Sequence, residues 1–91
     1  MAMKSPGPQD AVILDALRTP IGRKDGALSE FRADELAAKL LSALVERAAL
    51  DPMRLDDVIA GCVTQTHEQG LNLARNAALA SGLPISLPGT T

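Results

Sequence analysis

"DDVIAGCVTQTHEQGLNLARNAALASGLPISLPGTT", Asp56 to Thr91, changes its periodicity twice, and that change decides the fold class. Val58 to Val63 is a short, nearly continuous apolar run punctuated by Gly61, as expected of a strand covered on both faces. "TQTHEQG" (Thr64 to Gly70) is polar and reads as a loop. Asn72 then offers an N-cap to a helix from Leu73 to about Ser81, whose Ala74, Ala77 and Ala78 allow close packing on a sheet. Gly82 stands where a left-handed residue stops a helix, and Pro84 follows two residues later. Ile85 to Thr91 reads as the opening of another strand. Strand, helix and strand in this order predict parallel pairing with a right-handed crossover.

The chain upstream repeats the alternation. "AVILDAL" (Ala11 to Leu17) is an apolar run of the buried-strand type, with Asp15 near its end placing that residue at a sheet edge. Pro20, Gly22 and Gly26 mark a long connection. From about Ala33 to Ala49 the period becomes helical. Glu35, Lys39, Ser42 and Glu46 form a polar stripe, and Leu36, Leu40, Leu44 and Ala48 form the neighbouring apolar one, supported by Ala37 and Leu41. Asp34 and Glu35 favour the helix dipole, and Glu35 with Lys39 has the better orientation for an i,i+4 pair. Asp51-Pro52 supplies a cap and a first-turn proline for one short turn over Pro52 to Leu55. The expected class is α/β, ordered strand, helix, strand, helix and the start of a third strand. Met1 to Asp10 is a lead-in, and residues 11–91 form the single unit.

The totals exclude several functions. Ninety-one residues make one domain at most, burying roughly 60–65% of the unfolded surface. At 46% hydrophobic and 22% charged, the chain falls outside the disordered class. Phe31 is the sole aromatic residue, the net charge is −2, and the nine Lys and Arg are scattered. Neither base stacking nor a basic face for duplex binding is available, so no nucleic acid is expected. Cys62 is the single cysteine and His67 the single histidine, so an internal disulfide and a Cys/His zinc cage are excluded. No apolar run approaches the ~20 residues of a membrane span, and "MAMKSPGPQD" lacks the apolar core of a secretory signal. A cytoplasmic location without membrane contact is the expectation.

Individual residues carry little chemistry. Glycine-rich phosphate fingerprints are missing after the first run, and Arg18, Arg23 and Lys24 read as a solvated loop rather than an anion site. Cys62, inside the apolar run, reads as a small buried hydrophobe. His67 beside Glu68 reads as a surface or interface histidine, and the consecutive Asp56 and Asp57 cannot face each other as a catalytic pair. Asn72 and Arg75 share one side of a helix, which suits either a surface ion pair or a packed role at a subunit contact.

Four stretches in order resemble the N-terminal domain of the thiolase family: "VILDALRTPIGRKDGAL" (Val12 to Leu28), "ADELAAKLLSALVERAALDP" (Ala33 to Pro52), "DDVIAGCV" (Asp56 to Val63) and "EQGLNLARNAALASGLP" (Glu68 to Pro84). The last is similar to that family's Asn-x-Ala-Arg helix, with Leu71 where many members carry Gln. The resemblance implies the first part of a β-α-β-α-β unit, its sheet lying between helix layers, incomplete by itself and cut at the third strand. It also implies dimers or tetramers, and acyltransferase chemistry on acyl-CoA. That chemistry is thiolysis of a 3-ketoacyl-CoA or Claisen condensation of acetyl-CoA, as in fatty acid metabolism, with coenzyme A as substrate and no covalently bound cofactor. The family's acyl carrier is a cysteine opening the helix after the third strand, where the helix terminus lowers a thiol's pKa. On this expectation "LPGTT" leads into an Asn-x-x-Cys segment beyond Thr91, and Cys62 does not replace it. No residue of the chain is therefore expected to be catalytic, cofactor-binding or metal-ligating, and Asn72 and Arg75 are the candidates for a subunit contact. The chain alone is expected to be inactive, aggregation-prone or partly molten, and ordered by another chain such as the remainder of a thiolase. The other class open to it is a non-catalytic, thiolase-like scaffold or oligomerisation module.

Overall fold

The computed structural model describes residues 5–91. The first four positions of the expected lead-in lie outside the described residues; Ser5 to Asp10 are exposed, with a turn in which the Asp10 amide donates to the Gly7 carbonyl at 3.1 Å. Two helices and a two-stranded parallel ladder follow: α1 (Ala33–Arg47), β1 (Val58–Ile59), α2 (Leu73–Ala80) and β2 (Gly89–Thr90). Val58 pairs with Gly89 and Ile59 with Thr90. Short 3₁₀ turns occupy Pro52–Arg54 and His67–Gln69.

Local signals account for the helices. In α1 the stripe of Glu35, Lys39, Ser42 and Glu46 is exposed, while Leu36, Leu40 and Leu44 are half-buried and Ala38 is buried. The helix ends at Arg47, two residues before the expected limit. Ala49 turns left-handed at φ 53°, and the Ala49 and Leu50 amides donate back to Glu46 and Val45 at 3.1 Å each, a Schellman exit without glycine. Lys39 lies 5.7 Å above the Phe31 ring, a cation–π contact in place of the expected pair with Glu35. The Asp51 carboxylate caps the 3₁₀ turn, accepting from the Met53 amide at 3.0 Å. Gly82 leaves α2 at φ 81°, as its position after the helix requires.

The strands differ from expectation, and the reason is shared. A strand is defined by its ladder, and a ladder needs a partner at long sequence separation. Ala11 to Leu17 pairs with nothing among the described residues; Val12, Ile13 and Leu14 are 54%, 90% and 71% exposed. Asp15 is tied instead to α1, with the Arg47 guanidinium 3.3 Å from its carboxylate. The second run forms a ladder over only two residues, with Ile59 and Val63 exposed and Cys62 beyond the paired segment.

α2 is the hub, packed on α1, β1 and β2. The buried side chains are Ala38, Ala74, Ala77, Ala78, Leu83 and Leu87, so the core is thin and built largely of alanine. The accessible surface is 7389 Å², against about 5000 Å² for a compact monomer of 9.5 kDa. The radius of gyration is 15.4 Å, where a compact chain of this length has about 12 Å. The alternation has produced an incomplete α/β unit whose remaining apolar surface faces outward.

Candidate functional site

The densest polar structure is the junction between the first turn of α2 and the segment Ile85 to Thr91. A helix begins with donors that have no partner inside it, and here two of them are satisfied from different sources. The Asn72 side chain accepts from the Arg75 amide at 3.1 Å, fulfilling the cap expected of it. The Thr91 hydroxyl accepts from the Ala74 amide at 3.0 Å and donates to Asn72 Oδ1 at 3.0 Å. Asn72 Nδ2 donates to the Gly89 carbonyl at 2.7 Å. Asn72 itself is left-handed at φ 67°, and so is Leu71 at φ 51°, two consecutive non-glycine residues in a region L side chains seldom adopt. Asn tolerates this conformation far better than Leu does. The strained approach aims the Asn72 amide at β2.

Arg75 completes the junction. Its guanidinium donates through Nη2 to the Ile85 carbonyl at 2.8 Å and through Nη1 to the Leu87 carbonyl. Positions 85, 87, 89 and 91 therefore each give an oxygen to the start of α2. Gly89 lies so close to the helix backbone that a Cβ there would stand 2.6 Å from the Arg75 nitrogen and 2.8 Å from Ala74 C and Arg75 Cα. The sequence signalled Asn72 and Arg75 through their spacing but not Gly89 and Thr91. A glycine within a strand-like run is the signal that points to close backbone approach.

The remaining candidates are not brought together. The Cys62 sulfur lies 3.5 Å from both the Thr64 carbonyl and Gln69 Oε1, positioned as a weak donor between two acceptors. Cys62 is half-buried just outside the ladder, rather than inside a strand. His67 is exposed at the start of its 3₁₀ turn. Arg18, Arg23 and Lys24 are exposed on the long connection. Arg32 and Asp34 form an ion pair at 3.1 Å beside the start of α1; its hydrogen bond holds the Asp34 carboxyl below the usual range and raises Arg32. Among the described residues, no group of three or more His, Cys, Asp or Glu could hold a metal ion, and no helix is long and apolar enough to cross a membrane.

Comparison with known proteins completes the picture. The family model "Thiolase, N-terminal domain" matches residues 11–91. The 3-ketoacyl-CoA thiolase of Pectobacterium carotovorum is 52% identical over 85 residues, covering 91% of this chain and 22% of that protein. The 3-ketoacyl-CoA thiolase of Saccharophagus degradans is 52% identical over 86 residues, covering 92% and 22%. That of Psychrobacter cryohalolentis is 47% identical over 85 residues, with 92% and 22% covered. The chain thus spans about a fifth of the length of these relatives. With its N-terminal-domain match running from residue 11 to residue 91, the chain belongs to the thiolase family.

Proposed function

We propose that the chain is the N-terminal part of an acyltransferase acting on acyl-CoA, catalysing thiolysis of a 3-ketoacyl-CoA or the reverse condensation of acetyl-CoA, and that it works only with the remainder of a thiolase. The observation carrying this reading is the identity of 52% spread over 91% of the chain but over only 22% of a relative named 3-ketoacyl-CoA thiolase. In this reading residues 11–91 are the first part of a β-α-β-α-β unit, residues 1–10 lead into it, and Ala11 to Leu17 supply its first strand. The sheet lies between helix layers completed by the remainder. Coenzyme A is the substrate, no cofactor is covalently held, and the acylated cysteine belongs to the segment that follows β2. The assembly is a cytoplasmic dimer or tetramer, with Asn72 and Arg75 bordering a subunit contact.

The exposed apolar surface supports a dependence on further protein. Ile13, Ile21, Ile59, Val63 and Leu71 are each at least 80% exposed, an arrangement that marks an interface or an aggregation hazard. The test uses the chain alone and the chain with the remaining thiolase segment, supplied in one polypeptide or as a second one. Thiolysis of a 3-ketoacyl-CoA is expected only when both are present, and circular dichroism and sizing of the chain alone are expected to give aggregates or a partly molten species. Thiolysis by the chain alone, or a compact, cooperatively melting monomer, overturns the dependence. Assembly without thiolysis overturns the acyltransferase reading in favour of a scaffold.

A further inference from the structure

We propose that Arg75, together with Asn72 and Thr91, is a positioning clamp that fixes where the chain leaves β2 relative to the start of α2. The geometry lies in the alternation of its contacts. Carbonyls of Ile85, Leu87 and Gly89 and the hydroxyl of Thr91 all reach the first turn of α2, through Arg75, Arg75, Asn72 and the Ala74 amide respectively. A cation with a rigid fork of donors can hold two carbonyls of an irregular segment at once, and a lysine, with one point charge, cannot reproduce that fork. Gly89 removes the side chain that would keep the two backbones apart. Leu87, 3% exposed, is the buried apolar side chain of the same segment, and Leu83, 8% exposed, is buried just before it. Two hydrogen-bonding residues of one helix turn thus set both the height and the lateral position of β2. The segment in turn accepts from the Val58 amide at the Pro88 carbonyl, just before β2, and from the Ala60 amide at the Thr90 carbonyl within it.

The consequence for catalysis rests on the acyltransferase reading, in which the acylated cysteine follows β2. Any play in the clamp is passed to the residue that must meet the substrate carbonyl. A displacement on the order of 1 Å at a reacting atom costs about 100-fold in rate. Arg75 touches neither substrate nor sulfur in this scheme, so it is a positioning residue.

The test places Arg75→Ala, Arg75→Lys and Thr91→Val in the chain assembled with the remaining thiolase segment. Amide exchange at Val58 and Ala60 reads the clamp without any reference to activity. It is expected to accelerate in Arg75→Ala, to be intermediate in Arg75→Lys, and to change least in Thr91→Val, which keeps shape and removes only the hydroxyl. Thiolysis reads the consequence: kcat falls by ~100-fold in Arg75→Ala, KM stays within about threefold, and Arg75→Lys recovers part of the loss. The pH at which the reactive cysteine is alkylated moves upward as the thiol leaves its helix terminus. Unchanged exchange at Val58 and Ala60 in folded Arg75→Ala overturns the clamp. Faster exchange with unchanged kcat and alkylation overturns its catalytic consequence. Loss of assembly with unchanged exchange and normal kcat in the assembled fraction overturns the clamp and leaves Arg75 with the subunit contact alone. Faster exchange in an assembly whose unsubstituted form has no thiolysis upholds the clamp while removing the acyltransferase reading beneath it.

Discussion

The junction of α2 with β2 and the segment Ala11 to Leu17 are both apolar in sequence, yet they sit at opposite extremes of order. At the junction, Ala74, Ala77, Ala78, Leu83 and Leu87 are buried, and four alternate positions of one segment are hydrogen-bonded to a single helix turn. In the other segment Ile13 is 90% exposed, and Asp15 makes a surface ion pair with Arg47 of α1. Hydrophobicity alone therefore does not bury a strand. It is buried when a partner lies within reach, and residues 72–91 contain their own partner whereas residues 11–17 do not.

The largest way to break this contrast is to push the junction apart. Gly89→Val places a side chain against backbone atoms that have no flexible end to move. We expect destabilisation of about 3 kcal/mol or more, the upper end of overpacking costs. The urea midpoint of the assembled protein measures it. Gly61 is the control: nothing stands within 4 Å of a Cβ there, so Gly61→Ala should stay within about 0.5 kcal/mol. Equal effects at both positions would mean that α2 and β2 are not in close contact.

A second pair of substitutions compares the regions through apolar side chains. Leu87→Ala, at 3% exposure, should cost about 2–3 kcal/mol, because this thin core can partly collapse around the gap. Ile13→Ser should leave the helix content of the chain alone unchanged, while weakening its assembly with the rest of a thiolase. If Ile13→Ser lowered the helix content of the chain by itself, residues 11–17 would already be packed within it.

What could be read from the sequence follows the same division. α1, the Asp51-capped turn, the Asn72 cap and the Gly82 exit were legible because each is encoded within a few residues by period, cap or left-handed stop. The short extent of β1 and the lack of a ladder for Ala11 to Leu17 were not legible, since pairing is decided by distant residues. The site divided similarly. Asn72 and Arg75 announced themselves by their spacing on a helix. Their actual bonds to Gly89, Ile85 and Leu87 cross 10 to 17 residues of chain, and no local pattern states them.

The two helix exits offer a smaller comparison. Both turn left-handed, α2 at Gly82 and α1 at Ala49. The alanine bears a Cβ penalty that glycine avoids, partly offset by the extra freedom glycine has when unfolded. Ala49→Gly should therefore stabilise α1 by about 0.5–1 kcal/mol. Gly82→Ala should destabilise by a similar amount. Opposite shifts in the urea midpoint support the matched geometry, and a loss at Ala49→Gly contradicts it.

The smallest effect is electrostatic and belongs to α1, which touches both regions. Asp34 is held below its ordinary value of 3.8, first by the hydrogen bond from Arg32 and then against an opposing cost of burial. A depressed folded-state pKa means that the unfolded chain binds the proton more readily. The stabilisation is therefore present in full above the unfolded value and is lost as pH falls through the lower, folded one. Asp34 also accepts from the Glu35 amide at 2.9 Å, in a helix whose N-cap, Arg32, provides no capping side chain, so protonation weakens the start of α1 as well as the ion pair. Helix content measured between pH 6 and pH 2 should decline below pH 4 in the unsubstituted protein, and that part of the decline should vanish in Asp34→Asn. A decline of the same size in Asp34→Asn would transfer the acid sensitivity to other carboxylates and leave the Arg32–Asp34 pair without measurable influence on the helix.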